Sequence, residues 1–389
     1  MTRSTPAARA AAVASVALAA CAGADRSRTA TGRVPEPAAT SATVLASPED
    51  LARAADGGPP RGATLPTGWL RVEGTRILLA DGSPFRGRGA NVHDTRSCDA
   101  CSFEAPHPEE VTRRIDALVD DWHATWLRLL LESYPDRGPG RTHFRNALED
   151  DDYFRDVMRI VGHVGKKKGV YVLLSLWQDP TFSPLGWPTA RTREVWKKLA
   201  GALRDIPWVM FGLVNEPQKN DDGARDAEVW REMNETVAAI RSVERPDRPH
   251  VIAVQATREW GRQLDYYVEH PITAGGGVNV VYETHPYNRP ARFEALVTRP
   301  AKKLPVIIGE FGWLVDKDVT MHEADTVALM DLAEREGIPW LAWTFHTNCP
   351  PNLLEAHAGT CGVGVSLAPS AWGRLVKDRL ARPWGAGTK

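Results

Sequence analysis

Two glutamates close two apolar runs of this 389-residue chain. The run from Val209 to Pro217 ends Val-Asn-Glu-Pro and delivers Glu216; the run from Leu304 to Trp313 reads Leu-Pro-Val-Ile-Ile-Gly-Glu-Phe-Gly-Trp and delivers Glu310. Continuous apolar runs fit strands buried on both faces, and in a parallel barrel the working side chains stand at C-terminal strand ends. Two carboxyls held about 5 to 5.5 Å apart can divide one reaction: one attacks an anomeric carbon, while the other protonates the departing oxygen and later deprotonates water. Either glutamate alone reads as well as the polar cap of a strand. Two of them, each ending such a run, point to paired-carboxylate chemistry.

The elements that must position them follow from the alternation of apolar runs with amphipathic stretches. Eight strands are predicted at 85–91, 124–131, 170–176, 208–215, 251–255, 278–284, 304–309 and 339–345. Between them lie helical stretches at 109–121, 152–168, 192–204, 227–243 and 323–336, with the helices after the fifth and sixth strands poorly defined. Eight strand-helix units over roughly 320 residues match an α/β chain folded as a (β/α)8 TIM barrel. Ahead of them, 70–85 alternates and carries Asp81-Gly82, the signal of a small N-terminal hairpin. Read only at the strand ends, the chain offers Asn91, His93, Arg128, Trp177, Gln178, Asn215, Glu216, Gln255, His285, Tyr287, Glu310 and Trp343, a set unsuited to a core and suited to a sugar.

Taken together these residues resemble glycoside hydrolase family 5, the cellulase-like retaining enzymes, over about Trp69 to Trp384. The most specific pieces are Asn215-Glu216-Pro217 on the fourth strand, Glu310-Phe311-Gly312 on the seventh and Arg128 on the second. The resemblance implies that Glu216 is the acid/base, Glu310 the nucleophile, Asn215 a ligand of the sugar 2-hydroxyl, His285 and Tyr287 orienting groups, and Trp343 the platform under the sugar. Asn91 and His93 are candidate supporting contacts. Arg128 should keep the nucleophile ionised by lowering its pKa. Members of the family usually carry a His at the end of the third strand; here Trp177 stands there, a stacking wall with Gln178 supplying the hydrogen bonds. The expected activity is retaining hydrolysis of a neutral β-linked glucan or mannan, endo-β-1,4-glucanase-like, because Trp177, Trp187, Trp260, Trp313 and Trp343 could line an open cleft and no carboxylate beyond the pair stands at a strand end. An exo-acting enzyme, its cleft walled by the 347–352 loop, and a non-catalytic carbohydrate-binding surface protein are the alternatives. Metal ligands would be His/Asp clusters at strand ends; His93-Asp94 has nothing to pair with, and no cofactor is expected.

Composition sets outer limits. Hydrophobic residues make up 43% of the chain, with 14 Trp, enough for a large core. A formal net charge of −1 gives no long-range attraction to nucleic acid, and Lys166-Lys167-Lys168, the densest basic run, suits a helix C-terminus. A monomer is expected. Arg3 and Arg9 precede an Ala/Val run too short to span a bilayer, so 1–20 reads as a signal peptide. Leu18-Ala19-Ala20-Cys21 is similar to a bacterial lipoprotein signal, which implies lipidation of Cys21 and a membrane anchor; an ordinary secretory signal is the other reading. Residues 21–66, rich in Ala, Pro, Ser, Thr, Gly and Asp, form a flexible linker, leaving 67–389 as the catalytic domain. In an exported chain the remaining cysteines favour disulfides over a zinc site; Cys98 with Cys101 and Cys349 with Cys361 is the simplest of three connectivities.

Overall fold

The computed structural model describes residues 68–93, 107–131, 147–177, 184–315, 320–357 and 363–386. Signal peptide, Cys21, linker, Cys98, Cys101, Gln178 and Cys361 lie outside them.

The first described element is an antiparallel hairpin, β1 (Arg71–Glu73) paired with β2 (Arg76–Leu78). Its turn is at Gly74, whose φ of +60° suits glycine, and not at Asp81-Gly82 as expected. The Asp81-Gly82 signal is nevertheless a real reversal: Gly82 N–H donates to Leu79 O at 3.0 Å and Leu78 bridges Pro84. Two turns follow one another, and the alternation alone did not separate them.

Eight strands then close a barrel. They are β3 (Arg88–His93), β4 (Trp126–Leu131), β5 (Tyr171–Leu176), β6 (Val209–Gly212), β7 (Ile252–Gln255), β8 (Val280–Thr284), β9 (Val306–Ile308) and, after a two-residue ribbon of β10 (Leu314–Val315) and β11 (Thr320–Met321), β12 (Trp340–Ala342). Each hydrogen-bonds its neighbours in parallel, and β12 returns to β3 to close the ring. This is the expected (β/α)8 fold, each strand overlapping its predicted window.

The long covering helices are α1 (Pro108–Asp116), α2 (Asp151–Val164), α3 (Ala190–Leu203), α4 (Asp226–Arg241), α5 (Glu323–Glu336) and α6 (Ala371–Leu380). Local chemistry marks their ends: the Asp150 carboxylate accepts from the N–H groups of Asp152 and Tyr153, and Gly337 stops α5 at φ +72°. Only short helical turns follow β7 and β8, where Pro271, the Gly275 to Gly277 run, Pro290 and Pro300 interrupt any longer helix.

Inside the barrel the period of two along each strand sorts side chains into layers. A lower apolar layer of Trp126, Tyr171, Leu173, Met210, Ala253, Val281, Ile307 and Leu341 is plugged from below by Leu70, Ile77 and Phe85. Phe85 meets Trp126 and Tyr171 edge-on at centroid distances of 5.7 and 5.2 Å. Two residues further along the same strands come Arg128, Ser175, Gln255, Glu283, Gly309 and Trp343. The hydrophobic plug is therefore the floor on which the polar layer stands.

Candidate active site

Arg128 is the centre of that layer. It is fully buried on β4, and its guanidinium donates to Glu310 Oε1 at 2.5 Å, Asn91 Oδ1 at 3.0 Å, Ser175 Oγ at 2.9 Å and Asn215 Oδ1 at 2.8 Å. A guanidinium supplies five donors in a rigid fork, so one residue fixes side chains from four other barrel positions at once. Asn91 has a second task. Its amide donates to Gly309 O at 2.9 Å and Ala342 O at 3.2 Å, tying β3 to the ends of β9 and β12. Being 0% exposed, Asn91 supports the site from below rather than facing a ligand.

Glu216 follows β6 with φ at +39°, a region that non-glycine residues rarely adopt, and it remains half-buried. Gly261, at φ +72°, lets the loop after β7 come close: a Cβ there would sit 3.4 Å from Glu216 Cγ. His285, beyond the end of β8, donates from Nδ1 to Glu216 Oε1 at 2.9 Å and lies 3.6 Å from Glu310 Oε1. Tyr287 donates its hydroxyl to Glu310 Oε2 at 3.2 Å. The ligand atoms of Glu216, His285 and Glu310 all lie within 4.8 Å of one another.

Beneath them stands a residue that the sequence reading passed over. Glu283 on β8 is fully buried, and its Oε1 lies 3.0 Å from His285 Nε2 and 3.2 Å from Arg128 Nε. The expectation concerned carboxylates at strand ends; Glu283 lies within β8, before its last residue, and is fully buried. Its signal was available, since Val281, Glu283 and His285 share one parity and a carboxylate is out of place in a buried run.

Burial alone would discharge His285, but Glu310, Glu216 and Glu283 outweigh it and push it up to about 9. It is an imidazolium at neutral pH, with both ring nitrogens donating. Burial raises Glu310 and the neighbouring Glu216 adds to that, against His285 and Arg128, with a net upward direction. The expectation that Arg128 would leave Glu310 depressed is therefore corrected: desolvation of a carboxyl that deep exceeds the attraction. Glu283 is lowered despite its burial, by Arg128 and His285.

The aromatic candidates form one wall. Trp177 and Trp343 lie 5.8 Å apart at 30°, and His93 meets Trp343 edge-on at 5.3 Å. Burial, with Arg114 and Arg128 nearby, takes His93 down to about 3, so it is a neutral member of this wall; His346, 5.4 Å away and absent from the predicted set, is neutral for the same reason. Trp260 and Trp313 are half-buried, as a cleft lining requires. Trp187 is not: it is 3% exposed, with the Arg225 guanidinium 4.6 Å over its ring. Gln255 is buried against His285 at 3.0 Å. Cys349 is disulfide-bonded.

A (β/α)8 barrel with paired carboxylates at the C-terminal strand ends and an aromatic wall beside them defines a glycoside hydrolase. The family described as Cellulase (glycosyl hydrolase family 5) matches residues 78–348, and the chain belongs to it. Among curated relatives, endoglucanase CelA of Streptomyces lividans is 24% identical over 335 residues, covering 81% of this chain; the chain spans 64% of that relative's length. The catalytic domain of Thermobifida fusca endoglucanase Cel5A, solved with cellotetraose, superposes with a TM-score of 0.63 at 20% identity, covering 82% of this chain and 100% of the other. The β-glucanase SdGluc5_26A of Saccharophagus degradans, also with cellotetraose, gives 0.62 at 17% identity over 83% and 97%. These structures share the fold.

Proposed function

We propose that this glycoside hydrolase cleaves a neutral β-linked glucan or mannan internally, with retention, through a double displacement in which Glu310 is the nucleophile and Glu216 the acid/base. One observation carries the reading: a carboxylate oxygen of each lies within 4.8 Å of the other. So close an approach suits a retaining enzyme, whose two carboxyls stand roughly 5 to 5.5 Å apart.

The division of roles follows from surroundings. Glu310 is nearly enclosed and touches Arg128 and Tyr287, which hold an attacking oxygen in one orientation. Glu216 keeps 16% of its side chain open, the access that a leaving group and an incoming water both need. Two cations, Arg128 and His285, face three carboxylates, so one proton neutralises the cluster. Glu283 is lowered and Glu310 raised, so Glu283 is the more firmly ionised of these two. An acid and a base side by side at neutral pH are what this chemistry requires. Asn215, held by Arg128, is positioned for the 2-hydroxyl, and Trp343 for the apolar face of the pyranose.

Half-open tryptophans after β5, β7 and β9 suit a polymer more than a single sugar, and cellotetraose accompanies two structures of the same fold. On a panel of soluble β-glucans and mannans, viscosity of the preferred polymer should fall much faster than reducing ends accumulate. Release of only mono- or disaccharide at nearly constant viscosity would overturn internal cleavage and leave the retaining mechanism intact.

The enzyme acts, in this reading, as a monomer without cofactor, exported and anchored by lipid at Cys21. Two or more acyl chains give stable attachment where one is marginal, so Cys21→Ser should move the enzyme from the membrane fraction to the soluble fraction or stall its processing. Identical fractionation of mutant and wild type would exclude the anchor.

A further inference from the structure

Glu283 is an expensive residue to keep where it is. Taking a carboxylate fully out of water costs several kcal/mol, and the neighbouring floor positions are apolar. Glu283 is itself 0% exposed. Space is nevertheless reserved for it: a Cβ on Gly309 would fall 1.8 Å from Glu283 Oε1. Its two charged contacts are Arg128 and His285, the same two groups that hold Glu310 and Glu216. The other groups around this corner are Asn91 on β3, Ser175 on β5, Asn215 after β6, Gln255 on β7 and Tyr287 after β8; none carries a charge at neutral pH.

We propose that Glu283 is a positioning residue for the reaction: its buried negative charge fixes Arg128 and His285 from below and obliges the Glu216–Glu310 pair to retain one proton. The proposal rests on the acid/base and nucleophile roles given above. Its reasoning is charge arithmetic. With Glu283 present, two cations oppose three carboxylates and the neutral cluster holds a proton. With Glu283 removed, two cations oppose two carboxylates, and the cluster is neutral with both members of the pair ionised. A general acid without its proton cannot assist departure. Two carboxylates alone would also hold the His285 proton less firmly than three.

The sign of the test follows. Activity needs the protonated pair and is lost as pH rises through its upper titration; deleting a nearby negative charge moves that titration to lower pH. In Glu283→Gln the alkaline limb of kcat should therefore move down by about one unit, a tenfold change in protonation, with KM altered less than about threefold. The His285 ring titration, followed by NMR on the intact enzyme, should move down with it. Glu283→Asp keeps the charge but withdraws it by about 1.5 Å, one carbon–carbon bond, and should give an intermediate limb. A folded Glu283→Gln enzyme whose limb and His285 midpoint both stay at wild-type values overturns the proposal. If Glu283→Gln does not fold, Glu283→Asp decides: an intermediate limb supports the role and a wild-type limb refutes it. The NMR titration does not depend on which glutamate attacks, so failure here is distinct from failure of the catalytic assignment.

Discussion

Replacing Glu310 by alanine is expected to reduce kcat by at least about 10⁴-fold, because the covalent step loses its attacking group and no other carboxylate can reach the anomeric carbon. On the assignment proposed above Glu216 serves the leaving group, and Glu283 lies against Arg128. The substitution also takes one partner from a buried arginine, so retention of the fold should be checked by thermal melting alongside turnover. Asn91, Ser175, Asn215 and Glu283 still hold Arg128, which favours a folded protein. A 2-fluoro glycoside of the preferred sugar should label Glu310. A folded Glu310→Ala enzyme keeping more than a few per cent of activity, or labelling at another residue, would falsify the assignment.

The second large effect is expected at Glu216. Alanine there should slow hydrolysis of substrates with poor leaving groups by about 10²- to 10⁴-fold, the range that general acid–base assistance supplies. With an activated aryl leaving group the first step no longer needs an acid, so the glycosyl-enzyme should form and then wait for a nucleophile. Azide fits the small space vacated beside His285 and should restore turnover, giving a glycosyl azide of unchanged anomeric configuration. Rescue yielding the inverted azide, or none with good leaving groups, would show that Glu216 does not assist departure in a two-step reaction.

Much of this was legible because barrel strands are chemically monotonous. Apolar runs such as 170–176 have one reading as buried strands, and a glutamate at the end of such a run stands out. Helix ends were readable where a side chain or a glycine marks them, as at Gly337. What escaped depended on the third dimension. Glu283 sits inside a run counted as apolar, and only the parity it shares with Val281 and His285 marks it as facing the lumen. Trp187 and Trp177 both fall in the segment after β5, yet Arg225 covers Trp187; the sequence carries no information about what lies across. The sequence likewise supplies Arg128 as a partner for Glu310 but says nothing of the depth at which they meet, and depth decided the direction in which Glu310 is shifted. At the hairpin, two turn signals stood within ten residues, and local pattern alone could not rank them.

The two hydrogen bonds from the Asn91 amide to the ends of β9 and β12 carry a consequence for how the enzyme comes into being. They cross the seam where the first barrel strand meets the last, and the same side chain accepts from Arg128. A nascent chain lacking its final seventy residues possesses both glutamates but not Ala342, one of the two carbonyls that hold Asn91 beside Arg128. Closing the ring thus completes the bracing of a side chain in the buried polar layer as well as the sheet itself.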